Sequence, residues 1–250
     1  MRKIIILAVM ACSAGSMSAQ NAKGQFSVKP MAGINISTIN GGETDDPYKS
    51  KVGFTGGAEL EYGVNDWLGL SLGVMYSQQG AKVETSSTTK QAAELGGDYT
   101  IQTTKKGKLK TDYLNLPLMA NFYIPAVKGL SVKTGIQLGI LISGKLNVET
   151  DPKVIEVPNN FYNHMISDYP NIPKECLTMT EFCKSVDFGI PVGLSYEYKN
   201  IVLDARYYFG LTNCEDINKI PKDFYSQIPI SLKDIKNRYL SITLGYRFRL

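Results

Sequence analysis

From Phe26 to the end of the chain, apolar and polar residues alternate with a period of two in eight separate runs. The runs cover 26–37, 52–62, 68–77, 113–122, 130–142, 186–196, 201–212 and 240–250. In the third, Leu68, Leu70, Leu72, Val74 and Tyr76 alternate with Gly69, Ser71, Gly73, Met75 and Ser77. Side chains of a strand point to opposite faces in turn, whereas a helix repeats every 3.6 residues. The pattern therefore predicts strands with one apolar and one polar face. Each run is about ten residues or slightly more. Strands of ordinary globular proteins average roughly five or six, and a tilted strand that crosses a bilayer needs roughly nine to eleven. Length favours membrane strands over a soluble sandwich.

The connections alternate as well. Those at Val64-Asn65-Asp66, Pro125 to Gly129 and Lys199-Asn200 are tight turns, while 40–51, 79–110, 144–184 and 213–237 are long. Short turns on one side and long loops on the other are the pattern of outer-membrane barrels. With the N-terminus inside, the short turns face the periplasm and the long loops face outward. The expected fold is an all-β, eight-stranded antiparallel up-and-down transmembrane β-barrel. A closed sheet also satisfies every backbone polar group in lipid.

The apolar face carries aromatics near its ends, with Tyr62, Phe122, Tyr196 and Phe248 at the periplasmic end and Phe54, Tyr76 and Phe209 at the outer end. Such residues form girdles at the two membrane interfaces. The other face carries Lys29, Lys133, Arg206, Arg247 and Arg249 beside Glu59, Glu61, Asp187, Glu197 and Asp204, five charges of each sign. Eight strands enclose a lumen just wide enough for side chains. These charges are expected to form a neutral, mutually paired plug in the barrel interior, with a narrow conduit as the alternative. Pro30 and Pro117 are awkward in a closed sheet and are expected at bulges or strand ends.

Ahead of the strands, Met1-Arg2-Lys3, the apolar run Ile4 to Met10 and small residues up to Ala19 read as a secretory signal peptide, residues 1–19, cut after Ala19. Residues 20–250 then form the barrel domain. Lipoprotein processing at Cys12 is a second possibility. The apolar run is too short for a transmembrane helix, which needs roughly 20 residues.

The strand Tyr113-Leu114-Asn115-Leu116-Pro117-Leu118-Met119-Ala120-Asn121-Phe122-Tyr123 resembles the Y-L-x-I-P-L strand of the PorT-like outer-membrane β-barrel family of the Bacteroidota. Gly33-Ile34-Asn35 and Leu244-Gly245-Tyr246-Arg247-Phe248 are further points of similarity. The resemblance gives Pro117 a place within the strand. It implies an outer-membrane location and, through the founding member, a tie to type IX protein secretion. It brings no catalytic residues.

Charge and residue usage exclude several classes. With 27 basic and 23 acidic residues the net charge is only +4, too balanced for a charge-driven nucleic-acid binder. The single histidine, His164, excludes a multi-His metal site and weakens Ser-His and Cys-His schemes. A surface hydrolase built on His164 is disfavoured because it lies far from any strand. No metal, cofactor or catalytic residue is expected, and the protein is read as non-enzymatic. Beyond the signal peptide the cysteines are Cys176, Cys183 and Cys214, in a compartment that permits disulfides. The hairpin register from Lys199-Asn200 sets Cys183 near Cys214 and favours that pair, with Cys176–Cys214 and Cys176–Cys183 left open. Loop 79–110 carries Lys82, Lys90, Lys105, Lys106, Lys108 and Lys110. Rim lysines such as Lys108 and Lys110 could meet lipopolysaccharide phosphate. The expected partners are outer-membrane lipid, lipopolysaccharide or other envelope proteins. The expected role is to bind a partner or surface component through the outer loops; a secretion or assembly complex and a narrow pore are the alternatives.

Overall fold

A computed structural model describes residues 23–40, 48–92, 98–156, 175–178, 180, 183–214 and 235–250. The signal-peptide segment, His164 and much of the segments 144–184 and 213–237 lie outside the described residues.

Among the described residues eleven strands form one sheet: β1 (Phe26–Asn40), β2 (Tyr48–Asn65), β3 (Leu68–Gln79), β4 (Ala81–Ala92), β5 (Asp98–Tyr123), β6 (Leu130–Glu156), β7 (Glu175–Thr178), β8 (Val186–Tyr198), β9 (Ile201–Asn213), β10 (Lys236–Tyr246) and β11 (Phe248–Arg249). Eight of them close a ring, β1-β2-β3-β5-β6-β8-β9-β10 and back to β1, with every neighbouring pair antiparallel. Closure is fixed by β1, which pairs Ile34 with Phe54 on one side and with Ile242 on the other. The remaining pieces extend the ring. Thus β4 continues β3 past Gly80, between β2 and β5, β7 adds to β6, and β11 continues β10.

The local chemistry explains the turns. Lys199 and Asn200 both have positive φ, at 47° and 71°, as a two-residue hairpin of the primed type requires. Asn65 Oδ1 accepts from the backbone N–H of Trp67 at 3.0 Å and of Leu68 at 2.8 Å, closing the first turn.

Burial is inverted relative to a soluble protein. Leu72, Val74, Leu194, Leu203 and Leu244 are more than half exposed. Lys29, Glu59, Lys133, Asp204 and Arg247 are buried to 2% exposure or less. The two faces of each strand are thus a lipid wall and a polar interior. Aromatic pairs mark the ends of the wall. Phe26 stacks near Tyr62 at 4.9 Å, Trp67 on Phe122 at 6.3 Å and Tyr246 near Phe248 at 4.7 Å, while Phe54 and Tyr76 sit 6.4 Å apart at the outer end.

Two differences from the sequence reading stand out. Segments 79–110 and 144–184 were expected as loops, yet β4, the first half of β5 and the second half of β6 are paired strands that prolong the barrel outward. Their alternation is carried by Thr, Ser and Lys rather than by large apolar residues, since no lipid faces them. Pro117 lies within β5 with no register shift. The β3–β5 ladder simply lapses between Leu72↔Leu118 and Met75↔Asn115, where proline has no N–H to give. Across from it Gly73 leaves the room: a Cβ there would fall 2.9 Å from Pro117 Cγ. Pro191 interrupts the β6–β8 ladder in the same way, between Thr134↔Val192 and Gln137↔Gly189.

Candidate functional site

The inward positions of all eight ring strands converge on three layers of polar side chains. The layer nearest the short turns joins Glu61 and Arg247, at 2.8 Å, to Glu197, 2.9 Å from Arg247 Nε, and to Arg249. Tyr123 donates to Glu61, as does Asn121 at 2.9 Å. Two cations meet two acids, so the layer is neutral.

The middle layer is a five-membered cluster. Lys29 Nζ lies 2.8 Å from Glu59 and 3.8 Å from Asp204. Lys133 Nζ lies 2.8 Å from Asp204 and 3.5 Å from Glu59. Arg206 contacts both acids, donating from Nη2 to Asp204 at 2.8 Å and from Nη1 to Glu59. Three cations share two acids. Taking these charges out of water costs several kcal/mol per ion, and only mutual pairing of this density offsets it.

The outer layer is built on Asp187. It accepts from Thr212 Oγ1 at 2.7 Å, Asn237 Nδ2 at 3.0 Å and the Tyr208 hydroxyl at 3.1 Å. Tyr208 stacks on Tyr239 with centroids 4.8 Å apart, and the Tyr239 hydroxyl accepts from Gln137 at 2.7 Å and Asn115 at 3.2 Å. Asp187 is the acid of this layer, and the buried Lys51, also on the inner face of β2, donates from Nζ to the Gln79 carbonyl oxygen at 2.8 Å. Between this layer and the middle one lies a cavity of about 30 Å³, bordered by Met31, Met75, Pro117, Pro191 and Arg206, room for a water or two.

All ten charges named from the sequence are thus placed in the interior, and the middle cluster draws on β1, β2, β6 and β9. The sequence reading missed the tyrosine and asparagine scaffold: Tyr113, Tyr123, Tyr208, Tyr239, Asn121 and Asn237. Parity in the runs 113–122 and 201–212 puts Tyr113, Asn121 and Tyr208 on the polar face, but their hydrogen-bonding roles depend on which strands meet across the lumen. Tyr239 and Asn237 fall just before the last alternating run.

Outside the apolar belt, the lipid-side face of β5 continues from Leu118, Leu116 and Leu114 into Asp112, Lys110, Lys108 and Lys106. Lys49 and Glu84 pair at 2.9 Å on this face, and Lys106 approaches Glu84 at 4.0 Å. The hydrogen bond from Lys49, then its charge, holds the exposed Glu84 carboxyl below the usual carboxylate range. At the outer ends of β8 and β9, Lys184 N–H donates to the Cys214 carbonyl at 2.8 Å, so the backbone of Cys214 meets the residue next to Cys183. The side chain of Cys176 lies outside the described residues.

Among the described residues no group of three or more His, Cys, Asp or Glu side chains is arranged to hold a metal ion. The family model for the outer membrane protein beta-barrel domain matches residues 18–216. No curated protein matches the chain. Similar solved structures include Ail, the attachment invasion locus protein of Yersinia pestis, in complex with the heparin analogue sucrose octasulfate. It is 15% identical, with 90% of this chain and 99% of that one covered and a TM-score of 0.40. Neisserial surface protein A is 15% identical, with 88% and 96% covered and a TM-score of 0.38. OprG from Pseudomonas aeruginosa is 11% identical, with 92% and 99% covered and a TM-score of 0.34. At such identities the ring of eight strands rests on the hydrogen-bond register of this chain itself.

Proposed function

Because this chain belongs to the outer membrane protein beta-barrel domain family, we propose that it serves as a non-conducting, non-enzymatic outer-membrane barrel whose outer segments bind a partner or surface component. The observation that carries this reading is the filled lumen. Its ten charges engage one another or neighbouring polar groups, and the cavity between the layers is only about 30 Å³. Among the described residues an interior so committed leaves little room for a water path or a vacant reactive group, so activity is assigned to the outer side. A Cys183–Cys214 disulfide belongs to the same proposal. An envelope dithiol–disulfide oxidant would accept the two electrons and two protons of the thiols, and the bridge would tie the outer ends of β8 and β9. The signal peptide, residues 1–19, would deliver the chain.

A second reading, membership of a protein secretion or assembly complex of the PorT type, is favoured by one feature, the Tyr113–Tyr123 strand with its internal Pro117. One experiment serves both readings. Intact cells carrying the full chain are cross-linked, and the barrel is purified beside a variant whose residues 215–234 are replaced by a short Gly-Ser turn. A cross-linked species that disappears in the variant, while heat-dependent gel migration persists, supports binding through the outer segments. A species unchanged by the replacement contradicts it. A multi-protein assembly among the products favours the complex.

A further inference from the structure

The outer wall above the belt carries lysines that face other lysines. Lys82 on β4 is directly opposite Lys49 on β2 and Lys108 on β5, a row of three across three strands. One step nearer the membrane, Lys110 on β5 is directly opposite Lys145 on β6. Lys49, Lys82, Lys108 and Lys145 are exposed, and Lys110 is half-exposed. The reverse face of the same strands is closed, with Val83 and Leu146 buried to 3% and 1% exposure.

The acids nearby do not neutralise this wall. Glu84 is taken up by Lys49 and Lys106. Glu149 lies directly opposite Lys106. Asp112 lies opposite Gln78 and Ser143, one step below Lys110 on the same face. Six lysines against three acids leave a net positive surface. Like charges directly opposite one another in a sheet are destabilising. Their Cβ atoms are only about 5 Å apart, so two ammonium groups from neighbouring strands can close on one phosphate.

Height decides what kind of phosphate. Leu114 pairs with Tyr76 of the outer girdle, and Lys110 is four residues further along β5. That is about 13 Å along the strand, or about 10 Å along the membrane normal at a tilt of roughly 40°. The interfacial layer beyond the hydrocarbon core is roughly 5–7 Å thick. The lysines therefore stand beside lipid headgroups and the sugars directly above them, on the outside of the barrel wall.

We propose that this wall binds the phosphorylated headgroup of an outer-leaflet glycolipid, with Lys82, Lys108, Lys110 and Lys145 contacting the phosphates. The proposal rests on the barrel's place in the membrane and is independent of partner binding by the outer loops. In a bound complex the phosphate turns each repulsive lysine pair into a pair of charge-assisted hydrogen bonds.

The test uses the full chain, refolded in detergent micelles and verified by heat-dependent migration. Fluorescent bis-phosphorylated lipid A is titrated, beside the same glycolipid stripped of both phosphates, with inorganic phosphate as competitor. The phosphorylated probe is expected to bind roughly tenfold or more tightly than the stripped one, with affinity falling as salt rises. Lys108→Gln/Lys110→Gln is expected to weaken it by roughly tenfold or more. Lys128→Gln/Lys184→Gln, an equal charge change away from the wall, should leave it unaltered. Without the lipid, Lys108→Gln/Lys110→Gln should unfold at the same or a higher temperature than the parent, because a repulsive pair has been opened. The proposal is overturned by equal binding of the two probes, by equal losses in the two double variants, or by inorganic phosphate displacing the lipid at comparable concentration. It is equally overturned if Lys108→Gln/Lys110→Gln destabilises the lipid-free barrel, which would make these lysines structural.

Discussion

Glu59 is where the interior network is most exposed to a single change. It faces Lys29, Lys133 and Arg206 at 1% exposure. Glu59→Gln leaves three buried cations with Asp204 alone, and removing one partner of a buried pair typically costs about 3–5 kcal/mol. The expected outcome is a clearly lowered urea midpoint for the folded band. Glu84→Gln, which breaks an exposed pair with Lys49, should leave that midpoint unchanged within error. A smaller probe of the same interior is Gly189. A Cβ there would lie 2.3 Å from the Phe209 carbonyl oxygen and 2.5 Å from Tyr208 Cζ. Gly189→Ala must therefore push β8 from β9 or displace the ring that serves Asp187. A loss of about 1–3 kcal/mol is expected, read from the same urea titration. The charged members of these layers were legible in the sequence, because parity alone puts an Arg or Glu inside. Their partners were not, because Lys133 and Asp204 meet only after the ring has closed.

At the level of elements, strand identity and register were legible wherever lipid forces large apolar residues onto alternate positions, as in β3 and β8. The prolongations of β5 and β6 were not, since above the belt that demand vanishes and Thr, Ser and Lys alternate instead. What holds them is pairing along a continuous register from Lys110↔Lys145 to Gln102↔Lys153. Hydrogen–deuterium exchange should therefore show slowly exchanging amides at 102–110 and 144–151, comparable with the membrane portion of β5. Exchange as fast as in an unpaired loop would contradict the extension. The ends of β8 and β9 offer a second test. Protein from the cell envelope should have Cys183 and Cys214 blocked to alkylation until reductant is added, and Cys214→Ser should free Cys183. Alkylation of both before reduction would refute the bridge.

As a whole molecule the protein combines a lipid-facing wall that water cannot stabilise with an interior that lipid cannot tolerate. The ring of eight strands reconciles the two by placing each described interior charge against an opposite charge or a polar hydrogen-bonding partner. From the short turns outward its lumen holds a neutral layer, a middle layer of three cations and two acids, and an outer region where Asp187 and the buried Lys51 are each met by polar partners. Ten of these charges could be read from the sequence by parity, whereas Lys51, one residue ahead of its run, the layering and the small cavity could not, since the last two depend on the tyrosines that roof the middle cluster. The claim on which the functional reading depends is that this lumen is filled. It is tested most directly by recording current across a planar bilayer containing the full chain, refolded and shown by its heat-dependent migration to be folded. The account predicts no current steps above the bare membrane, and steps appearing only when the plug is cut away by Lys133→Ala/Arg206→Ala in barrels that remain folded. Stable, uniform conductance steps from the unaltered protein would contradict it.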